Sequence, residues 1–135
     1  MAVQTELSVA AELRMDARAS ELAGARRYAA EAAAAFGLEA DAGYDFVYAV
    51  NEAVTNAIRH GSPDEHGQIL LSVRAAEGRL VLSVHDRGNF ALPTWPPRAG
   101  REGGRGFALM ERLVDDVQVR VDRQGTTVTL TTARM

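Results

Sequence analysis

Apolar residues along the chain switch between two periods, and the switches mark out the elements. Thr5 to Leu13 alternates loosely and stops before Met15-Asp16, which predicts a first strand at a sheet edge. An alanine-rich stretch follows; Asp16 or Ser20 is placed to cap it and Phe36-Gly37 to end it, so it reads as a helix. From Asp41 to His60 the period is again helical: Val47, Val50, Val54, Ala57 and Ile58 share one face, while Glu52, Asn56 and His60 fall roughly opposite. Gly61-Ser62-Pro63 closes that helix. Gln68–Arg74 and Arg79–Asp86 read as strands joined by the hairpin Ala75-Ala76-Glu77-Gly78.

Periodicity then lapses from Asn89 to about Gly103, a stretch holding Pro93, Trp95, Pro96, Pro97 and Gly100. Irregular loops of that length inside a small domain are usually functional. Phe107, Leu109, Met110, Leu113 and Val114 restore a short amphipathic helix. Val117–Val121 and Thr126–Thr132 form a closing hairpin through Asp122-Arg123-Gln124-Gly125. Antiparallel strand pairs with helices between them predict an α+β fold, a two-layer α/β sandwich with its helices on one sheet face.

Composition adds limits. A chain of 135 residues is expected to be a single domain that buries roughly two thirds of its unfolded surface. With 47% hydrophobic and 24% charged residues it has the balance of an ordinary globular protein. The net charge of −3 and the lack of a basic run argue against nucleic acid as a partner. There is no cysteine, so disulfides and thiolate metal sites are excluded, and His60, His66 and His85 lack a compact zinc-ligand spacing. No apolar run approaches the ~20 residues of a membrane span. Glu6 and Glu12 stand where a signal peptide would be positive and then apolar, so a cytoplasmic protein is expected.

The candidate chemistry lies at three places. Glu52 and Asn56 are four residues apart and so share one helix face, where a carboxylate can act as a base and a carboxamide oxygen can meet a hard cation such as magnesium. Asp86, at the end of an apolar strand and before Arg87-Gly88, can accept a hydrogen bond from an exocyclic amine such as that of adenine. Gly103-Gly104-Arg105-Gly106 opens a helix, where free N–H groups and the helix dipole favour phosphate. Read alone, the first pair is a solvated helix face, the second a turn and the third a hinge. In this order, each names a different part of one nucleotide.

These segments, Asn51 to Gly61, Asp86-Arg87-Gly88, Gly104-Arg105-Gly106-Phe107 and Gly125-Thr126-Thr127, resemble the GHKL ATPase superfamily, and more narrowly the bacterial anti-sigma-factor serine kinases. The resemblance covers nearly the whole chain and implies a Bergerat-type sandwich with a mixed, mostly antiparallel sheet and an ATP lid at about residues 89–103. It implies Glu52 as the general base toward a partner serine and Asn56 as the magnesium ligand. Asp86 would hold the adenine amine with Gly88 beside it, and Thr126 would support the water network around the base. Gly104, Arg105, Gly106 and Phe107 fall in the phosphate-wrapping segment, and Arg26, next to Arg27, matches an arginine that contacts partners.

The implied cofactors are ATP and magnesium. The implied partners are a sigma factor and an anti-anti-sigma protein of the STAS type, with a homodimer as a further expectation. Two positions depart from the pattern: Phe90, after Asn89, where many members have a second glycine, and Glu102, where some have a basic residue, with Arg101 one step earlier. The expected function is therefore a kinase that sequesters a sigma factor and phosphorylates the anti-anti-sigma partner. The alternative is an ATP-dependent partner-binding module without phosphotransfer.

Overall fold

Among the described residues five strands form one sheet in the order β1-β2-β3-β5-β4: β1 (Leu13–Asp16), β2 (Gln68–Ala76), β3 (Arg79–Asp86), β4 (Asp116–Asp122) and β5 (Gly125–Ala133). The computed structural model describes residues 12–61, 67–87 and 102–133, and within them the side chains of all but residues 60, 61 and 102–106. Every described pairing is antiparallel, at the far end of the mostly antiparallel expectation. β1 lies at the sheet edge as expected, but it runs through Met15-Asp16 instead of stopping before them. Met15 explains the shift: it is buried opposite Ile69, so the apolar end of the segment pairs. The earlier part, through residue 11, is outside the described residues.

Among the described residues three α-helices, α1 (Leu22–Phe36), α2 (Ala40–Asn56) and α3 (Glu102–Leu113), form the second layer, with α2 packed between the other two. Their core partners on the sheet are Ile69, Leu71, Val73, Leu80, Leu82, Val84 and Leu130, all buried and alternating with half-exposed neighbours. That alternation is the signature of a sheet covered on one face only. α1 buries only alanines, Ala25, Ala29, Ala32 and Ala33, so its backbone can approach α2 closely. Gly43 on α2 helps: a Cβ there would stand 3.8 Å from that of Ala33. Val50 and Val54 on α2, and Ala57 just past its end, are buried as expected, and Phe46, Ala49 and Ala53 join them.

Neither Asp16 nor Ser20 caps α1. A 3₁₀ turn, Ala19–Glu21, precedes the helix, no side chain caps it, and Asp16 instead binds Arg18 (2.8 Å) and Gln68 (2.6 Å). Gly37 does end it, in the left-handed region at φ 94°, with the N–H groups of Gly37 and Leu38 both bonded to the Ala33 carbonyl. The hairpins are tighter than the sequence suggests. β2 and β3 continue to Ala76 and Arg79, leaving only Glu77-Gly78 as the turn, both at positive φ (56° and 77°). A two-residue turn of that kind matches the twist of its strands. β4 and β5 likewise close through Arg123-Gln124, where the Gln124 N–H bonds the Asp122 carboxylate at 2.8 Å.

Candidate functional site

The second helix does not run as α-helix to His60. It stops at Asn56 and continues as one π turn, Ala57–Gly61. The Thr55 hydroxyl donates to the Asn51 carbonyl at 2.7 Å, competing for an acceptor of the helix ladder one turn before the change. Such wide turns recur at functional sites because they re-aim the residues that follow. Glu52 and Asn56 lie just before it, both half-buried, in the last full α turns. This π turn contacts β3, so the end of the helix and the strand of Asp86 meet.

Asp86 is 3% exposed although it ends a strand. Strand parity explains this: Met15, Ile69, Asp86 and Thr126 are successive cross-strand partners, so all four point to the helix side of the sheet. A carboxylate there lies at the rim of the layer between sheet and helices. The two residues expected to serve the adenine end, Asp86 and Thr126, are thus directly opposed.

Gly125 allows the close approach. Its φ is 123°, and an added Cβ would collide with the Asp86 carbonyl oxygen and stand 2.8 Å from the Arg87 Cα. Within its motif this glycine reads simply as the end of a turn; its role against Asp86 is set by the pairing of two strands 40 residues apart, which local pattern does not reveal. The missed signal was positional, a glycine just before the residue opposite the strand-end aspartate.

α3 starts at Glu102, one residue ahead of the glycine run, so Gly103, Gly104, Arg105 and Gly106 occupy its first turns, as expected of a run that opens a helix. Phe107 is half-buried against the core, anchoring the start of this helix, and α3 packs along α2. Gly88, Phe90, Arg101 and all but the last two residues of the lid expected at about residues 89–103 lie outside the described residues, as does His66. On the other flank of α2 the Arg26 guanidinium donates to the Asn51 carboxamide oxygen at 3.1 Å. Arg26 is therefore held beside the residue that precedes Glu52.

Among the described residues no group of three His, Cys, Asp or Glu could hold a metal ion. Asn56 and Glu52 carry hard oxygen donors, which would fit an ion that takes one or two protein ligands and fills its shell with water and phosphate oxygens. Magnesium behaves in this way. No described helix is long and apolar enough to cross a membrane.

The family of histidine kinase-like ATPase domains matches residues 15–132. The chain is 35% identical over 100 residues to a serine-protein kinase RsbW of Bacillus licheniformis, covering 64% of this chain and 62% of that protein. It is 39% identical over 92 residues to an anti-sigma F factor of Geobacillus thermodenitrificans, covering 60% and 62%. The chain thus spans about three fifths of the length of these two relatives. Among solved structures, the RsbU and RsbW domains of Rv1364c from Mycobacterium tuberculosis match with a TM-score of 0.67 and 28% identity, over 93% of this chain and 34% of that one.

Proposed function

This chain belongs to the family of histidine kinase-like ATPase domains, and from that premise we propose that it is an ATP-dependent protein-serine kinase and anti-sigma factor. The observation that carries the reading is the buried carboxylate of Asp86, paired across the sheet with Thr126 at the edge of the helix layer. Aspartate is seldom buried so deeply, and at the rim of the helix layer its carboxylate would accept a hydrogen bond from the amine of adenine.

The remaining roles follow from position. Asn56 would hold magnesium, with Glu52 nearby as the base, and the ion when bound would neutralise negative charge on the phosphates. The N-terminal turns of α3, with Gly104, Arg105 and Gly106, offer backbone N–H groups to the phosphates, and Gly88, outside the described residues, would serve the base. Glu52 takes the proton from the partner's serine. The serine oxygen then bonds to the γ-phosphorus as the bond to the β–γ bridging oxygen breaks, leaving ADP. Phosphoryl transfer of this kind depends on positioning and electrostatics more than on covalent help from the protein.

The names of the relatives supply the partners: a serine-protein kinase acts on a protein, and an anti-sigma F factor binds a sigma factor. For this chain we include an anti-anti-sigma protein of the STAS type as phosphoacceptor, Arg26 as a partner contact, a homodimer and a cytoplasmic location. A module without phosphotransfer is not favoured, since the relatives include proteins named as serine-protein kinases.

The test is transfer of labelled phosphate from ATP to a cognate anti-anti-sigma protein by the parent and by Glu52→Ala. Loss of the general base should slow transfer by about 10²- to 10⁴-fold with ATP affinity nearly unchanged. Equal rates in the two proteins would remove Glu52 from its role.

A further inference from the structure

On the sheet face away from the helices, Arg14, Leu70, His85 and Thr127 are successive cross-strand partners and project together. At the end of this row is a shallow depression of about 450 Å³ lined by Arg14, Gln68, Leu70, His85, Arg87 and Gln124. Among the described residues nothing acidic lines it. Arg14 and Arg87 are both exposed, and neither makes an ion pair with any described residue. The adjoining carboxylate, Asp16, has its oxygens engaged by Arg18 (2.8 Å) and Gln68 (2.6 Å), so it does not neutralise them. The His85 ring is held by its Nδ1, 2.8 Å from the Thr127 hydroxyl oxygen, which leaves Nε2 free of that contact.

We propose that this depression is an oxyanion site that takes a phosphate group, either the free ion or a small phosphate monoester. Two guanidiniums, one on β1 and one just past the end of β3, offer the planar, paired N–H donors that phosphate oxygens accept best. His85 and Gln124 add further polar groups at the rim, and Leu70 provides an apolar floor on which the organic part of a monoester can lie. The volume exceeds what a phosphate ion alone fills. The site is separate from the nucleotide cleft: His85 and Asp86 are consecutive residues on opposite faces of the sheet. An anion bridging Arg14 and Arg87 would tie β1 to the end of β3 and steady the backbone that carries Asp86.

The proposal is tested by following the His85 ring resonances at fixed pH and ionic strength, with the nucleotide cleft kept saturated with ATP and magnesium. Inorganic phosphate and phenyl phosphate are titrated in turn. We expect saturable shifts of His85, weakened at least about tenfold in the double variant Arg14→Ala/Arg87→Ala. Asp86→Asn, titrated without nucleotide, should bind phosphate at this face as the parent does, which separates this site from the cleft. Tighter binding of phenyl phosphate would assign the monoester, and equal binding would assign the free ion. Absence of a saturable shift, or equal affinity in the double variant, would overturn the site. So would shifts that follow protein concentration and not phosphate, since that result gives the face to a second copy of the chain.

Discussion

Replacing Gly125 with alanine should damage both the fold and the nucleotide site, for reasons that can be separated. Its φ of 123° is a region that costs a residue with a side chain about 1–3 kcal/mol. In addition, the new methyl would lie 2.8 Å from the Arg87 Cα and 2.9 Å from the Asp86 carbonyl carbon, and closer still to the carbonyl oxygen. Carbon atoms prefer ~3.5–4.0 Å. The Asp86–Arg87 backbone must therefore retreat by more than roughly half an ångström, and Asp86 moves with it. Strain and collision together predict a loss of about 2–4 kcal/mol, which in a chain of this size lowers Tm by about 10 °C.

Gly78→Ala is the matched control: Gly78 also has positive φ (77°), yet its Cβ would meet nothing within 4 Å. That variant should lose only about 1 kcal/mol and bind ATP like the parent. Thermal melting and calorimetric titration of ATP, run on both variants, separate the two effects. If Gly125→Ala melts and binds ATP as Gly78→Ala does, the claim that Gly125 positions Asp86 is wrong.

Three further outcomes are expected. Asn56→Ala should abolish the magnesium dependence of ATP binding, seen by titrating with and without the ion, while its Tm stays close to that of the parent because the side chain is only half-buried. Arg26→Ala should weaken capture of a cognate sigma factor by about tenfold in a direct binding assay, as truncation of an interface arginine typically does. Tyr28 is shifted up from its usual 10.0, first by burial and then by the charge of Glu12. A raised tyrosine contributes stability that is intact below about pH 10 and is lost as pH rises through the folded-state value. Tyr28→Phe should therefore melt with a shallower decline than the parent above that pH.

Element types were legible in the sequence because alternation and helical spacing are consequences of one buried face. Leu80, Leu82 and Val84 alternate as they must to line the helix side of β3, and Gly37 stops α1 where its left-handed φ permits. What local pattern could not supply was anything decided between distant strands. Glu77 carries a side chain at a positive φ, which no propensity favours, so the first hairpin was expected four residues long. Met15 pairs as strand because Ile69 faces it.

Within the site, the shared face of Glu52 and Asn56 follows from spacing alone, whereas the opposition of Asp86 and Thr126 follows from register across β3 and β5. The π turn was hidden for a related reason: its residues, Ala57 to Gly61, have helical spacing, and only the Thr55–Asn51 bond signals the change. The polar row through Arg14 and His85 is likewise invisible along the chain and appears once three strands align.

The most direct measurement is calorimetric titration of the parent and of Asp86→Asn with ATP in the presence of magnesium. A hydrogen bond to a charged acceptor contributes about 1.5–3 kcal/mol, so the variant should bind roughly ten to a hundred times more weakly, with its melting temperature close to the parent's. Equal affinity in the two proteins, or no binding to the parent at millimolar ATP, would contradict the assignment of Asp86 to the adenine and with it the nucleotide site.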